Sequence, residues 1–119
     1  MSGIYHITDK DITQLWRNLK ESAKKRGIDF DLTPMDIDDI GIPLTCPILG
    51  FRIFFHRDQA HDDSISFDRI NSSLGYTRDN LVIVSLRANK LKSDATLHEM
   101  ESIVNFYKLL EESNDIDTT

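Results

Sequence analysis

Residues 64–94 read SISFDRINSSLGYTRDNLVIVSLRANKLKSD, and the order of patterns within them decides the fold. Ile65, Phe67 and Arg69 alternate with Ser66, Asp68 and Ile70, as in a strand with one buried face. Ser72 to Asn80 contains Gly75 and the Asp79-Asn80 pair, which predicts a loop closing a hairpin. Leu81 to Val84 is apolar on both faces, as a central strand would be. Ser85 is placed to cap a helix in which Ala88, Leu91 and Ala95, spaced three and four apart, are expected to pack on the sheet. Asn89, Lys92 and Ser93 then lie on the neighbouring side. The result is strand, turn, strand, helix, and folding it back on itself brings Asp68 toward Asn89. A carboxylate and an amide oxygen suit Mg²⁺ or Mn²⁺, which take few protein oxygens and leave positions for a phosphate oxygen. Arg87, Lys90 and Lys92 make this neighbourhood positive although the chain carries a net charge of -6.

Working outward, Thr8 to Arg26 is an amphipathic helix candidate, with Thr8 as cap and Ile12, Leu15, Trp16, Leu19 and Ala23 on one face. Lys20, Lys24, Lys25 and Arg26 either suit the negative end of its dipole as a solvated terminus or form a patch that extends a phosphate contact, and Gly27 ends it. Thr33-Pro34-Met35-Asp36 carries the signature of a short capped helix. Asp36, Asp38 and Asp39 lack the glycine and terminal glutamate of an EF-hand loop and are assigned no chemistry. Leu44 to Phe55 reads as a turn leading into a buried strand. His56 to Asp63 is a polar loop whose two histidines and three aspartates could supply a metal ligand or a general base, although such loops are more often simply exposed. Thr96-Leu97-His98-Glu99 is a capping box. The helix after it, expected over 97–111, carries an apolar stripe of Leu97, Met100, Ile103, Val104, Tyr107 and Leu110. The acidic tail, 112–119, is expected to fray.

With 119 residues there is room for one core, so 1–119 is read as a single α+β domain. No apolar run approaches a membrane span and the first residues lack a signal-peptide pattern, which predicts a cytoplasmic protein. Cys46 is the only cysteine, so neither an internal disulfide nor a thiolate zinc cluster is expected. The acidic balance argues mildly against nucleic-acid binding, but charge distribution can override the sum.

The segments Asp68-Arg69-Ile70, Gly75-Tyr76, Asp79-Asn80-Leu81, Arg87-Ala88-Asn89-Lys90 and Lys92-Ser93-Asp94-Ala95-Thr96-Leu97 together resemble the HNH endonucleases, the ββα-metal or His-Me finger nucleases. The small forms encoded by phages are the most similar. Arg26-Gly27-Ile28-Asp29-Phe30-Asp31-Leu32-Thr33-Pro34 and Cys46-Pro47-Ile48-Leu49-Gly50 also resemble that group, so the likeness covers roughly Ala23 to Phe106. It implies a hairpin-plus-helix metal core flanked by N- and C-terminal helices, one Mg²⁺ or Mn²⁺ held by Asp68 and Asn89, and Asn80 pinning the loop that orients the site. It also implies double-stranded DNA as substrate, with phosphates met by Arg87, Lys90 and Lys92, and, for a phage protein, the host cytoplasm as location.

Two departures from the family stand out. The histidine that takes a proton from the attacking water normally follows the aspartate, and here Arg69 occupies that place. Arginine stays protonated, and loss of a general base costs about 10²- to 10⁴-fold in rate. Three accounts are open: His56 or His61 reaches in as the base, Arg69 clamps the scissile phosphate while a metal-activated water attacks, or the site is inactive. The strand pleat adds that Asp68 and Arg69 should point to opposite faces. The second departure concerns zinc. Many relatives hold it with paired Cys-x-x-Cys motifs, whereas position 49 here is Leu, so structural zinc is not expected and Cys46 is read as a buried turn residue.

The survival of Asp68, Asn80, Asn89 and the basic helix favours a metal-dependent DNA endonuclease. The alternative is a catalytically degenerate module of the same fold, a phage regulatory factor that binds nucleic acid, or a host protein through the acidic segments Asp29 to Asp39 and Glu99 to Asp117.

Overall fold

The computed structural model describes residues 7–114. Helix α1 spans Asp9–Arg26. Its first turn is closed by Thr8, whose Oγ1 accepts from Asp11 N, and Gly27 ends it with φ 68°, the left-handed conformation that a residue with Cβ resists. Strand β1 is only Phe30–Asp31, and helix α2 is Pro34–Ile40. Thr33 and Asp36 form the predicted capping box at its start. Strand β2 (Ile65–Arg69), the short β3 (Tyr76–Thr77), a 3₁₀ turn (Arg78–Asn80) and strand β4 (Leu81–Ser85) lead into helix α3, Leu86–Lys92. Helix α4, Leu97–Asn114, completes a mixed α+β chain and opens on the predicted box: Thr96 N donates to Glu99 Oε1 and Glu99 N to Thr96 Oγ1.

β2 and β4 pair antiparallel in unbroken register from Ile65↔Ser85 to Arg69↔Leu81. α3 packs against both strands, started by Ser85, whose Oγ accepts from Ala88 N at 3.1 Å. One apolar core joins the Ile12, Leu15, Leu19 and Ala23 face of α1 to Ile37 of α2, to Ile42, Cys46 and Ile53, and to Ile65, Leu81, Ile83 and Val84 of the hairpin. The Cys46 Sγ lies inside, accepting from Leu49 N and Ser85 N, so this cysteine is a buried turn residue.

Several expectations need correction. Among the described residues β4 is not a central strand, because its sheet has two strands; its apolar character reflects burial of Leu81, Ile83 and Val84 in the core. No strand forms over 51–55, where pairing is limited to the isolated bridges Thr45↔Arg52 and Phe54↔Ser64. The apolar run there reflects burial of Ile53, at 0% exposure, and burial alone does not supply a backbone partner. Leu91 is 57% exposed and does not join Ala88 in packing. The parallel pair of β1 with β3 was not anticipated; it depends on Gly75, where a Cβ would lie 2.6 Å from the Asp29 carbonyl oxygen. α4 continues to Asn114, three residues' worth of the tail expected to fray being helical, and 115–119 lie outside the described residues. Most of the apolar side chains of α4, including Leu97, Ile103, Phe106, Tyr107 and Leu109, are exposed. Among the described residues no helix is long and apolar enough to cross a membrane.

Candidate functional site

The unbroken β2 ladder fixes where the side chains of the Asp68 strand go. Ser66 and Asp68, two residues apart, both meet α3: Asn89 Nδ2 donates to Ser66 Oγ at 2.9 Å, and Lys92 Nζ donates to Asp68 Oδ2 at 2.7 Å. Asn89 and Lys92 are three apart on the helix and so share a face. Asn89 Nδ2 also donates to the Phe67 carbonyl, which commits its amide nitrogen to the strand and leaves its Oδ1 as an acceptor. Lys92 Nζ reaches the Arg69 carbonyl as well, at 3.1 Å. Hairpin and helix thus bring Asp68 and Asn89 to one side, as the sequence implied, with Lys92 inserted against the carboxylate.

Arg69, the last residue of β2, is held by the loop that follows it and still lines the same cleft as Asp68. Its Nη1 donates to the Ser72 and Leu74 carbonyls, both at 2.8 Å, and its guanidinium lies 5.4 Å from the centre of the Tyr76 ring. Tyr76 is buried, and its hydroxyl accepts from Arg26 Nη1 at 3.3 Å. Tyr76 therefore stations two guanidinium groups, from α1 and β2, beside the hairpin. The sequence groups Arg26 with Lys24 and Lys25 as a helix terminus or a phosphate-contacting patch; the separation of 50 residues from Tyr76 leaves no local signal for the Tyr76 contact.

A cleft of about 300 Å³ is lined by Asp68, Arg69, Asn89, Arg26, Phe67, Ser72, Tyr76, Ser93 and Asp94. Asp94 is a second carboxylate in this cleft that sequence reading gave no role. Ser93 ends α3 at φ 49° and ψ -125°, a conformation normally left to glycine, so the lip of the cleft carries local backbone strain. The available donors are oxygen only: one carboxylate oxygen of Asp68 beyond that held by Lys92, Oδ1 of Asn89, and Asp94. This set fits a small hard cation that keeps most of its waters, provided Lys92 yields or shares Asp68.

Asn80 is 7% exposed and supports the site from behind. Its Oδ1 accepts from Asn71 N at 2.9 Å and its Nδ2 donates to the Asn71 and Gly75 carbonyls at 3.1 and 2.8 Å. One amide thereby fixes both ends of the loop that follows Arg69.

The two loop histidines are not in contact with Asp68. His56 Nε2 lies 2.7 Å from Asp63 Oδ1, and its ring is 4.3 Å, centre to centre, from that of His61. His61 Nε2 faces both carboxylate oxygens of Asp58 at 3.4 Å. A backbone N–H from Gln59 and then the neighbouring His61 hold the Asp58 carboxyl below its ordinary range. His56 does line a second, larger cleft of about 540 Å³ that shares Arg26, Phe67, Tyr76 and Asn89 with the first, whereas His61 lines neither. Arg87 and Lys90 are exposed on α3 outside both clefts, and Lys90 Nζ comes only within 3.9 Å of Asp62. Lys92, expected on a phosphate, is instead 19% exposed and paired with Asp68.

Comparison with known proteins adds one relative. The chain is 29% identical over 97 residues to an "Uncharacterized 29.0 kDa protein in dda-modA intergenic region" of Enterobacteria phage T4. That alignment covers 79% of this chain and 38% of the relative, so the chain spans well under half of the relative's length. No family model and no solved structure matches the chain.

Proposed function

We propose that the chain is a metal-dependent endonuclease of the HNH type, hydrolysing DNA phosphodiester bonds in the cleft between β2 and α3. The observation that carries this reading is the common placement of Asp68 and Asn89 on one side of an antiparallel hairpin and its following helix, with Asn89 turned so that its amide oxygen is available. Asp68 and Asn89 would hold one Mg²⁺ or Mn²⁺. Such an ion, when bound, stabilises charge on a phosphoryl oxygen and lowers the pKa of a coordinated water.

The chain's own groups do the rest. Arg26 and Arg69, aligned by Tyr76, hold a phosphate at the mouth of the cleft, and Arg87 and Lys90 meet the flanking backbone. Asn80 holds the 71–75 loop in place so that Arg69 keeps its position. Among the described residues no histidine lines the Asp68 cleft, and Arg69 cannot accept a proton, so turnover is slower than with a general base by about 10²- to 10⁴-fold. Cytoplasmic DNA of an infected host is the matching substrate, a setting with which the phage relative is consistent.

A second reading has its own support. The Lys92–Asp68 ion pair gives the carboxylate a resident cation, and α4 presents exposed apolar side chains; both suit a non-catalytic module that binds a protein partner. Nicking of supercoiled plasmid in Mg²⁺ or Mn²⁺ separates the two. The nuclease reading expects nicking by the wild type that is lost in Asp68→Ala and in Asn89→Ala; equal, metal-independent silence from all three proteins sinks it in favour of the second.

A further inference from the structure

The geometry points to a second cation site, independent of the cleft, in which His56, Asp58 and His61 bind a transition-metal ion such as Zn²⁺. One donor atom from each of the three lies within 4.8 Å of the other two. Asp58 and His61 sit on the surface of the loop, where side-chain rotation closes the remaining distance. The segment His56-Arg57-Asp58-Gln59-Ala60-His61 places all three ligands within one turn of chain, so a single chelate loop builds the site.

Three details favour an ion over a set of ordinary hydrogen bonds. The first is the tautomer of His56. Asp63 offers its Nε2 only an acceptor at 2.7 Å, because an ionised carboxylate has no proton to give. Nε2 therefore carries the hydrogen, and Nδ1 is left with its lone pair. A metal-binding imidazole almost always has its other N–H on a carboxylate in this way.

The second is the spacing of His61 Nε2 from Asp58, 3.4 Å to each oxygen. That exceeds a normal N–H···O bond, and it equals the separation of two ligands that each lie about 2.1 Å from one tetrahedral ion. The third is the close approach of the two imidazoles, 4.3 Å between ring centres, a separation at which one ion reaches both rings. Two nitrogens and one carboxylate prefer Zn²⁺, Co²⁺ or Ni²⁺ to Mg²⁺, whereas the Asp68 cleft offers oxygens alone.

The site also has a place in the architecture. Its loop is tied to α1 by the Arg57–Asp11 ion pair. The Asp62 and Ser64 carbonyls accept from Arg87 N and Leu86 N, the first turn of α3. An ion that stiffens residues 56–61 therefore steadies the start of the helix that carries Asn89, without touching the cleft.

Titration of Co²⁺ into the full chain in the presence of Mg²⁺, followed by its visible spectrum, tests the site with no reference to DNA cleavage. The expected result is one equivalent of low-symmetry, near-tetrahedral Co²⁺, displaced by Zn²⁺. Asp58→Ala and His61→Ala should abolish the bands while keeping the wild-type circular dichroism, since both residues lie on the loop surface. Asp63→Asn should weaken binding about tenfold or more, and loss of the remaining histidines, His6→Ala with His98→Ala, should change nothing. Absence of a stoichiometric Co²⁺ spectrum overturns the inference, as does a spectrum that survives in His61→Ala or disappears in the His6/His98 double variant.

Discussion

Lys92 Nζ lies 2.7 Å from Asp68 Oδ2, and the two side chains are only 19% and 15% exposed. The pair closes the hairpin onto α3 and gives the carboxylate a cation of its own. Removing only the lysine leaves a largely buried charge unpaired. Lys92→Met, which keeps the apolar stem, is expected to lower stability by about 2 kcal/mol, between the value of an exposed pair and that of a buried one. Urea denaturation measures the loss, and Asp68→Asn in the same chain should restore most of it.

Lys92 also competes with any divalent ion for Asp68. In Lys92→Met the Mg²⁺ concentration that half-saturates nicking should fall. An unchanged or higher requirement would mean that the lysine helps to hold substrate more than it blocks the metal.

Asn80 serves the site through three hydrogen bonds to the 71–75 loop. Asn80→Ala leaves the Gly75 carbonyl and the Asn71 N–H without that partner, while the Asn71 carbonyl still accepts from Leu74 N, at a cost of about 2 kcal/mol. Asn80→Asp should be nearly as damaging, because a carboxylate can accept from Asn71 N but has nothing to donate to the Asn71 and Gly75 carbonyls. Both effects are read from the midpoint of chemical unfolding at unchanged slope.

Acid should weaken the fold from the helix starts inward. The Asp36 carboxyl is held below its ordinary value of 3.8 by the Thr33 backbone N–H, the Thr33 hydroxyl and Arg78, and Glu99 is held below 4.5 by the equivalent groups of Thr96. A depressed carboxylate contributes stability above its unfolded pKa and loses it as pH falls through the folded value. Thermal stability should therefore be level above about pH 5 and decline below it. Asp36→Asn should flatten part of that decline; an unchanged slope would show that the cap does not contribute.

The features legible in the sequence are those encoded within a few residues. Thr8, Thr33 with Asp36, Ser85, and Thr96 with Glu99 all cap helices as read, because a cap needs only its own next turn. Asp68 and Asn89 converge because strand period and helix period act on a short connection. What escaped reading depends on distant partners. The charge of Lys92 was plain, but nothing local says that it meets a carboxylate 24 residues away and not a phosphate. Arg26 meets Tyr76 only after α1 has docked. The run before Phe55 has the composition of a strand, yet Ile53 is buried while Phe51 remains 38% exposed, and periodicity detects burial without revealing whether another backbone lies alongside. β1, two residues long, has no periodicity to detect.

The most direct test of the account is whether Asp68 and Asn89 share one ion. Mn²⁺ titrated into the protein and followed by electron paramagnetic resonance reports free and bound metal without requiring turnover. The account predicts a Mn²⁺ site in the wild type that is lost or weakened by at least about tenfold in Asp68→Ala and in Asn89→Ala, and that persists in His61→Ala. Mn²⁺ binding that is indifferent to both cleft substitutions would contradict it.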